Sequence, residues 1–322
     1  MSLKLQSQPL EMTAFESSVF ISMNIISLVG NSMICLALLR APRLRTTTNL
    51  YVVSLACSDL LCAVFQMPLT LVTLNTRRWI FPQEVCEFQA FVDYVVVYMS
   101  PATMGLAALN RYFRIVKTEY YNVIFSSRRS QLLLGSVWTL LLSYIIIARG
   151  TGWQQFTFIP GFATCTVIHL SGERGLVHYS IILLFFFVLP FSIAVFSYYH
   201  VYKKIRQHNL EIVPSLHRRM TEAGISIHEI KITKSLSVVI AGFAMCWVPM
   251  WTIALLKRFH PGLLPEKLEL LSTFLIFLSA TINPFIYAWT SRGFRLVILK
   301  MLSCLKVWIS LTLWTSPRVT SI

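Results

Sequence analysis

The chain has 322 residues, of which 56% are hydrophobic and only 13% are charged, and its formal net charge is +15. Soluble domains are about 25% charged. The 22 Phe and 12 Tyr exclude a disordered chain, and seven Cys are too few for a disulfide-rich secreted scaffold. A basic charge can indicate a nucleic-acid-binding protein, but a chain with a mean hydropathy of +0.66 would not stay in water. We therefore predict an integral membrane protein with no nucleic-acid partner.

Seven apolar stretches are each long enough to cross a bilayer core of about 30 Å as an α-helix, which takes about 20 residues. They are Ser17–Leu39, Leu50–Leu74, Phe88–Asn110, Gln131–Ala148, Leu176–Tyr202, Ser235–Leu256 and Leu270–Thr290. None of them alternates polar and apolar residues as the strands of an outer-membrane barrel do. The sequence therefore predicts an all-α bundle of seven transmembrane spans, which we number one to seven in chain order.

Lys and Arg are distributed unequally between the two faces of this bundle. The face with the C-terminus and the loops after spans one, three and five carries 20 of the 28. Because cytoplasmic loops are enriched in Lys and Arg, we expect residues 1–16 to be extracellular, 17–290 to form the transmembrane domain and 291–322 to be cytoplasmic. The basic connection 203–234 is expected either to lie near anionic membrane lipid or to dock a protein partner.

Two acidic residues lie within the spans, where a charged side chain costs about 2.5 to 3.5 kcal/mol. Asp59, in span two, is either a structural residue bonded to Asn31 or Asn283, or a cation or proton site. Asp93 lies about two turns inside the outer end of span three, and no other span has a Lys, Arg or His at that depth. The residues expected to offer it one or two hydrogen bonds are Tyr94, Trp247, Trp251 and Thr273. An unpaired carboxylate there suits a cationic amine, through ion pairing and cation–π contacts.

Several cysteines and prolines have positions that suggest a role. Cys86 and Cys165 both fall on the outer, oxidising side, so we expect a disulfide between them. Cys304 follows an amphipathic stretch on the cytoplasmic side and is a candidate for palmitoylation. Five prolines interrupt spans and permit kinks, which suits a bundle that encloses a cavity and moves. They are Pro68, Pro101, Pro190, Pro249 and Pro284.

Short motifs in nearly every span match, in order, those of one receptor family. They are Gly30-Asn31, Leu55-Ala56 before Asp59, Trp79, Cys86, Asn110-Arg111-Tyr112, Trp138, Pro190 with Tyr198, Phe243 with Cys246-Trp247-Val248-Pro249, and Asn283-Pro284-Phe285-Ile286-Tyr287. On these motifs the chain resembles a rhodopsin-like, class A G protein-coupled receptor from end to end. The resemblance implies a short amphipathic cytoplasmic helix 8 from Ser291, a plasma-membrane location, and a heterotrimeric G protein and arrestin as cytoplasmic partners.

The resemblance also implies roles for individual residues. Arg111 would engage the G protein and would pair with Glu229 in the resting state, while Tyr198 and Tyr287 would swing inward on activation. The implied switch residues are Asn110, Arg111, Tyr112, Glu229, Tyr198, Tyr287 and Phe243. The implied sodium pocket consists of Asp59, Ser100, Ser279 and Asn283. No cofactor other than this allosteric sodium ion is expected.

The position of Asp93, 18 residues before Arg111, is where aminergic receptors hold the ligand amine, although opioid-like and somatostatin-like peptide receptors also have an Asp there. The implied ligand-binding residues are Asp93, Tyr94, Val97, Trp247, Met250, Trp251, Thr273 and Phe277, with Trp247 as the floor of the cavity. Phe277 stands where aminergic receptors usually have Tyr. The span-five residues Ile182, Leu183 and Phe186 cannot donate hydrogen bonds to catechol hydroxyls, so a less hydroxylated amine fits better than a catecholamine.

Other features resemble melatonin receptors, namely Asn110 in place of the usual Asp and the run Tyr121–Ser127. Those receptors usually have Asn-Ala where this chain has Asn283-Pro284, and they lack an acid at the position of Asp93. A melatonin-like receptor, a short-peptide receptor and a non-signalling scavenging receptor are therefore alternatives, the last because Asn110 and Pro101 alter the switch. An opsin is not expected, because span seven has no Lys for a retinal Schiff base. The sequence shows no metal-ligand cluster, no phosphate-binding loop and no nucleophile–His–acid set, so we do not predict an enzyme.

Overall fold

The structure is a computed structural model that describes residues 5–169, 172–212, 227–260, 262–290, 293–301 and 303. Seven helical spans in this part of the chain are long and apolar enough to cross a membrane. They are Leu10–Arg40 (α1), Thr47–Thr76 (α2 and α3), Gln83–Ile115 (α4), Ser127–Gly150 (α6), Gly172–Ile212 (α7 and α8), Ile227–Phe259 (α9) and Glu266–Thr290 (α10). Each predicted span lies within one of them, so the seven-span prediction is confirmed. Cys304 lies outside the described residues.

Two spans contain a wide helical turn close to a proline. In span two, α2 (Thr47–Leu61) passes through a π-helical turn, Cys62–Gln66, into α3 (Met67–Thr76), where Pro68 follows. In span five, α7 (Gly172–Ile182) passes through a π-helical turn, Leu183–Val188, into α8 (Leu189–Ile212), which contains Pro190. Such turns arise where a proline removes a backbone donor and often occur at functional sites. In span two, the turn places Gln66 at the inside of the bundle, where it is 2% exposed.

The third span, α4, lies at the centre of the bundle and contacts α2, α6 and α8. In the most apolar 18-residue window of α4, 72% of the residues are buried. In the corresponding windows of spans four and five only 22% are buried, so the apolar side chains of those spans would face lipid. Spans one and seven approach closely at Gly30, since a Cβ there would lie 2.6 Å from the ring of Pro284. The Gly30 backbone position is therefore fixed by packing against the seventh span.

Two short helices lie outside the spans. The helix α5 (Thr118–Ile124) follows α4, and a helix at 293–301 (α11) follows α10. In α11, Phe294 is buried and its ring lies 6.2 Å from that of Tyr287 in the seventh span. This helix lies at the position predicted for the amphipathic helix 8.

A β-hairpin lies across the opposite end of the bundle, which we call the hairpin end. It consists of β1 (Gln154–Ile159) and β2 (Thr164–His169), antiparallel and joined by a 3-10 turn at Pro160–Phe162. A disulfide joins Cys165 in β2 to Cys86 in α4, as predicted. The sequence analysis did not foresee the hairpin itself.

The first span begins at Leu10, seven residues before the uncharged stretch used to predict it. Residues 5–9 precede it and cross the hairpin end as an extended segment. The backbone N–H of Leu5 donates to the carbonyl of Arg77 at the end of span two (2.9 Å), and that of Gln6 donates to Glu266 at the start of span seven (3.0 Å). This segment therefore connects spans two and seven beside the hairpin.

Candidate functional site

A cavity of about 480 Å³ opens at the hairpin end, between the spans and the hairpin. Its walls come from spans two, three, five, six and seven and from the hairpin turn. Seven of the eight predicted ligand-binding residues line it, namely Asp93, Tyr94, Val97, Met250, Trp251, Thr273 and Phe277. The cavity extends from Glu266 to Phe277 along α10, which is about 16 Å at 1.5 Å per residue. A small organic molecule fits a space of this size.

Asp93 is the acidic residue that α4 contributes to the cavity wall, and it is 9% exposed. Its Oδ2 accepts a 2.7 Å hydrogen bond from the hydroxyl of Thr166 in β2, and the side chain of Gln66 also interacts with the carboxylate. Neither Thr166 nor Gln66 was among the residues expected to offer Asp93 a hydrogen bond. Thr273, one of the donors considered there, instead donates to the carbonyl of Phe162 (2.8 Å). In the described part of the chain, no Lys, Arg or His forms an ion pair with Asp93.

Aromatic rings cover the cavity wall next to Asp93. The rings of Tyr94 and Tyr98 lie 4.3 Å apart, and Tyr98 lies 6.2 Å from Trp251. From Trp251 the contacts continue away from the cavity through two rings of span five, Phe187 and Phe191. Electron-rich ring faces next to a carboxylate favour an organic cation.

Trp247, predicted as the floor of the cavity, is not among the residues that line it. It lies one helical turn from Trp251 along α9, is 1% exposed, and stacks on Phe243 with the ring centroids 4.9 Å apart and the planes at 8°. Phe243 in turn lies 6.3 Å from Phe191. Trp247 and Phe243 therefore form an aromatic layer beneath the cavity, one helical turn along α9 from Trp251 in the cavity wall.

The outer rim of the cavity contains an ion pair that the sequence analysis missed. Lys257 pairs with Glu269, which is 3% exposed. The carboxylate of Glu269 also presses against the backbone of Gly161 in the hairpin turn, where a Cβ would overlap it. Lys257 lies near the end of α9 and Glu269 near the start of α10, and a short loop joins these two helices. Their pairing therefore follows from the antiparallel packing of spans six and seven.

Asp59 lies in a second polar cluster, deeper in the bundle. It is 3% exposed and accepts a 2.9 Å hydrogen bond from Nδ2 of Asn283, one of the two partners considered from sequence. Asn31, the other, donates to the carbonyl of Ala280 instead (3.0 Å). Ser100 is buried, and its hydroxyl has no partner among the described residues, whereas Ser279 donates to the carbonyl of Ile276. The contact described within the predicted sodium pocket is the one between Asp59 and Asn283, and sodium binding by the four residues stays a prediction.

Three of the predicted switch residues, Asn110, Arg111 and Tyr112, lie at the end of the bundle opposite the hairpin. Asn110 is fully buried, and its Oδ1 accepts hydrogen bonds from Arg111 (3.0 Å) and Thr48 (3.3 Å). Its Nδ2 lies 3.5 Å from the hydroxyl of Tyr121 in α5. Tyr112 packs on Phe196 of span five. The Asn110 side chain therefore joins spans two and three to α5.

Three further predicted switch residues are Tyr198, Tyr287 and Glu229. The hydroxyls of Tyr198 and Tyr287 are buried, and neither has a hydrogen-bond partner among the described residues. The pairing of Arg111 with Glu229 stays a prediction, because the Glu229 side chain is outside the described part.

Comparisons with known proteins agree with this architecture. Residues 30–287 match the family described as 7 transmembrane receptor (rhodopsin family). Melanopsin-A of Danio rerio is 27% identical over 297 residues, which is 90% of this chain and 50% of that protein. The histamine H2 receptor of Canis lupus familiaris is 26% identical over 93% of this chain and 82% of its own length. The melatonin receptor type 1A of Ovis aries is 26% identical over 89% of this chain and 77% of its own length.

Proposed function

Because the chain belongs to the rhodopsin family of seven-transmembrane receptors and is a signalling receptor rather than an enzyme, we propose that it senses a small cationic amine. The ammonium group of the ligand pairs with Asp93, and the bound receptor activates a heterotrimeric G protein. The receptor lies in the plasma membrane with the hairpin end outside, in agreement with the excess of Lys and Arg on the other face.

The observation that carries this proposal is the environment of Asp93. Its carboxylate is in the wall of a cavity large enough for a ligand, and the contacts described for it, with Thr166 and Gln66, are with neutral groups. A carboxylate removed from water and lacking a cation binds an ammonium ion favourably. The rings of Tyr94, Tyr98 and Trp251 supply the apolar and cation–π surface for the rest of the ligand. The similarity to a histamine receptor also supports an amine.

The transmission step uses the aromatic layer beneath the cavity. A ligand that displaces Trp251 or Met250 changes the packing of Phe187 and Trp247, and through Phe243 the position of α9. The open state then exposes Arg111 to the G protein, and arrestin is a second partner at the same face. A ligand shifts this equilibrium only as far as it binds one state better than the other. Sodium at Asp59, Ser100 and Asn283 would stabilise one of the two states.

A second candidate is a receptor for a neutral, melatonin-like ligand. It is favoured by the similarity to a melatonin receptor and by Asn110, which replaces the acid that most members of the family have before the arginine. On this alternative Asp93 is a structural residue that ties span three to the hairpin through Thr166.

The test is expression of the full chain in cells with a G protein dissociation readout, challenged with amines, melatonin-like indoles and short peptides. We expect an amine to activate the wild-type receptor and to lose its effect in Asp93→Ala. The matched control is Glu87→Gln, which removes an acid from the same helix outside the cavity, where it pairs with Arg149. An amine that activates Asp93→Ala as well as the wild type would exclude the ion pair.

Activation only by neutral indoles would favour the melatonin-like candidate, and activation only by peptides would favour a peptide receptor. A non-signalling scavenging receptor is distinguished by a separate measurement on the purified chain. We expect the agonist-bound receptor to recruit a nucleotide-free G protein, whereas a scavenging receptor binds the ligand and recruits none.

A further inference from the structure

The carboxylate of Asp93 is held on one side by the hairpin. Thr166 donates to Oδ2 at 2.7 Å, and Gln66, from the π-helical turn of span two, interacts with the same carboxylate. Among the described residues, the hydrogen bond whose acceptor oxygen is established is the one from Thr166 to Oδ2. The cavity walls near Asp93 include Val97 on the same helix and Phe277 on the seventh span, and neither side chain has a polar atom. The hydrogen bond from Thr166 therefore uses one of the two carboxylate oxygens, Oδ2, in the wall of the cavity.

Thr166 cannot easily leave this position, because the residues before it are anchored. Cys165 is joined to Cys86 by the disulfide, and its backbone N–H donates to the side chain of Gln89 (2.9 Å), which is fully buried. Thr164 lies 3.4 Å from the side-chain oxygen of Gln66. These contacts attach β2 to spans two and three directly beside Asp93. The strand thus holds the Thr166 hydroxyl against the carboxylate before any ligand arrives.

We propose that Thr166 is a specificity-determining residue, which makes Asp93 selective for a compact ammonium group over a guanidinium group. This inference rests on the proposed function, because it concerns the cation that Asp93 binds. A guanidinium binds a carboxylate best through a planar fork that uses both oxygens, whereas an ammonium is a point charge that needs only one. The Thr166 hydroxyl takes one lone pair of Oδ2 and, together with Gln66, restricts the directions from which a planar fork can reach both oxygens. Ligands with a terminal arginine-like group are thereby disfavoured.

The experiment uses membranes that contain the full chain with Val97→Cys, a cavity position one helical turn from Asp93. The rate at which 2-aminoethyl methanethiosulfonate modifies this cysteine is measured with increasing 2-phenylethylamine or 2-phenylethylguanidine. The two probes share one aromatic group and one charge and differ only in the cationic head. The chain without Val97→Cys gives the background from its own free cysteines, which include Cys35 and Cys57.

We expect the amine to protect the cysteine at a concentration about tenfold lower than the guanidine, which corresponds to the loss of one charged hydrogen bond. Thr166→Ala frees Oδ2 and is expected to reduce this ratio to below threefold, while Thr166→Ser keeps the hydroxyl and the ratio. Protection by the amine in Thr166→Ala shows that the site is still folded. Thr166→Val, which keeps the branched shape favoured in a strand, is a second variant without the donor.

The outcomes separate this inference from the proposed function. Equal protection by the two probes in the parent receptor, or a ratio unchanged by both Thr166→Ala and Thr166→Val, would overturn the role of Thr166 and leave the amine site intact. Protection by neither probe, or protection that persists in Asp93→Asn, would overturn the amine site, and the inference about Thr166 would fall with it.

Discussion

Arg111 donates a 3.0 Å hydrogen bond to the side chain of Asn110, its immediate neighbour at the end of the bundle opposite the hairpin. The acceptor is a neutral amide oxygen, which it shares with the hydroxyl of Thr48. The guanidinium of Arg111 is ionised, and an ionised carboxylate as the acceptor would add charge–charge attraction to this hydrogen bond. The hydrogen bond between Arg111 and Asn110 is therefore weaker than the ion pair that an aspartate in place of Asn110 would form.

Asn110→Asp is therefore expected to lower basal signalling. The added charge strengthens the contact with Arg111 by about 1 kcal/mol, which is roughly a fivefold shift towards the resting state. The measurement is ligand-free nucleotide exchange on the G protein at matched receptor density. Thr48→Val removes only the second donor to Asn110 and serves as the control, with an expected change of less than twofold. Basal exchange that is unchanged or higher in Asn110→Asp would contradict this account of the switch.

Sodium is expected to stabilise the purified receptor through Asp59. Replacing choline chloride with sodium chloride at constant ionic strength should raise the melting temperature by on the order of 2 °C, because an ion that binds only the folded state adds RT ln(1 + [L]/Kd). Asp59→Asn removes the charge and should abolish the shift, while Asp93→Asn, which removes the other intramembrane carboxylate, should keep it. A sodium shift that is the same in Asp59→Asn would place the ion elsewhere.

Removing one cysteine of the Cys86–Cys165 disulfide is expected to destabilise the receptor as much as removing both. Cys86→Ser and Cys165→Ser should each lower the melting temperature by several degrees, and the double variant should be no less stable than either single one. The bond links residues 79 positions apart, and closing a loop of that length is worth about 4 kcal/mol in the chain-entropy model. Additive losses in the double variant would show that the two cysteines stabilise the receptor independently. Surface staining of each variant controls for failure to reach the membrane.

The two residues of the rim ion pair, Lys257 and Glu269, are expected to contribute unequally to the stability of the receptor. Lys257→Met leaves the Glu269 carboxylate buried at 3% exposure without its cation, whereas Glu269→Gln leaves a lysine that is about one third exposed and can reach water. Removing one partner of a buried pair costs about 3 to 5 kcal/mol, and an exposed partner costs far less. The melting temperature should therefore fall more in Lys257→Met than in Glu269→Gln. Equal losses, or a larger loss in Glu269→Gln, would show that burial of Glu269 does not decide the energetics.

Much of the fold could be predicted from the sequence, because membrane spans have a simple physical requirement. A run of about 20 apolar residues has to form a helix in hydrocarbon, so composition alone located all seven spans. The motif spacing located Asp93 and six other residues that line the cavity. Asn283 was correctly considered as a partner of Asp59 because both lie in spans that pack together.

The partners of Asp93 could not be predicted in the same way. Thr166 is 73 residues away in the chain and reaches Asp93 only because the loop after span four folds into a hairpin. Strand pairing depends on register and on long-range contacts, which periodicity does not reveal over six residues. Gln66 faces inward because of a π-helical turn, and a regular helix would have directed it elsewhere. Trp247 was expected in the cavity wall, and of the residues near it along α9 the structure places Met250 and Trp251 there.

The central claim, an ammonium ion bound by Asp93, is tested most directly by comparing an activating amine with its neutral N-acetyl counterpart. Both are titrated on the wild type and on Asp93→Asn, with G protein dissociation as the readout. We expect the amine to lose about 100-fold in potency in Asp93→Asn, since breaking a desolvated charge pair costs about 2 to 5 kcal/mol, and the neutral compound to change by less than threefold. Equal potency of the amine on both receptors, or a neutral compound more potent than the amine on the wild type, would contradict the claim.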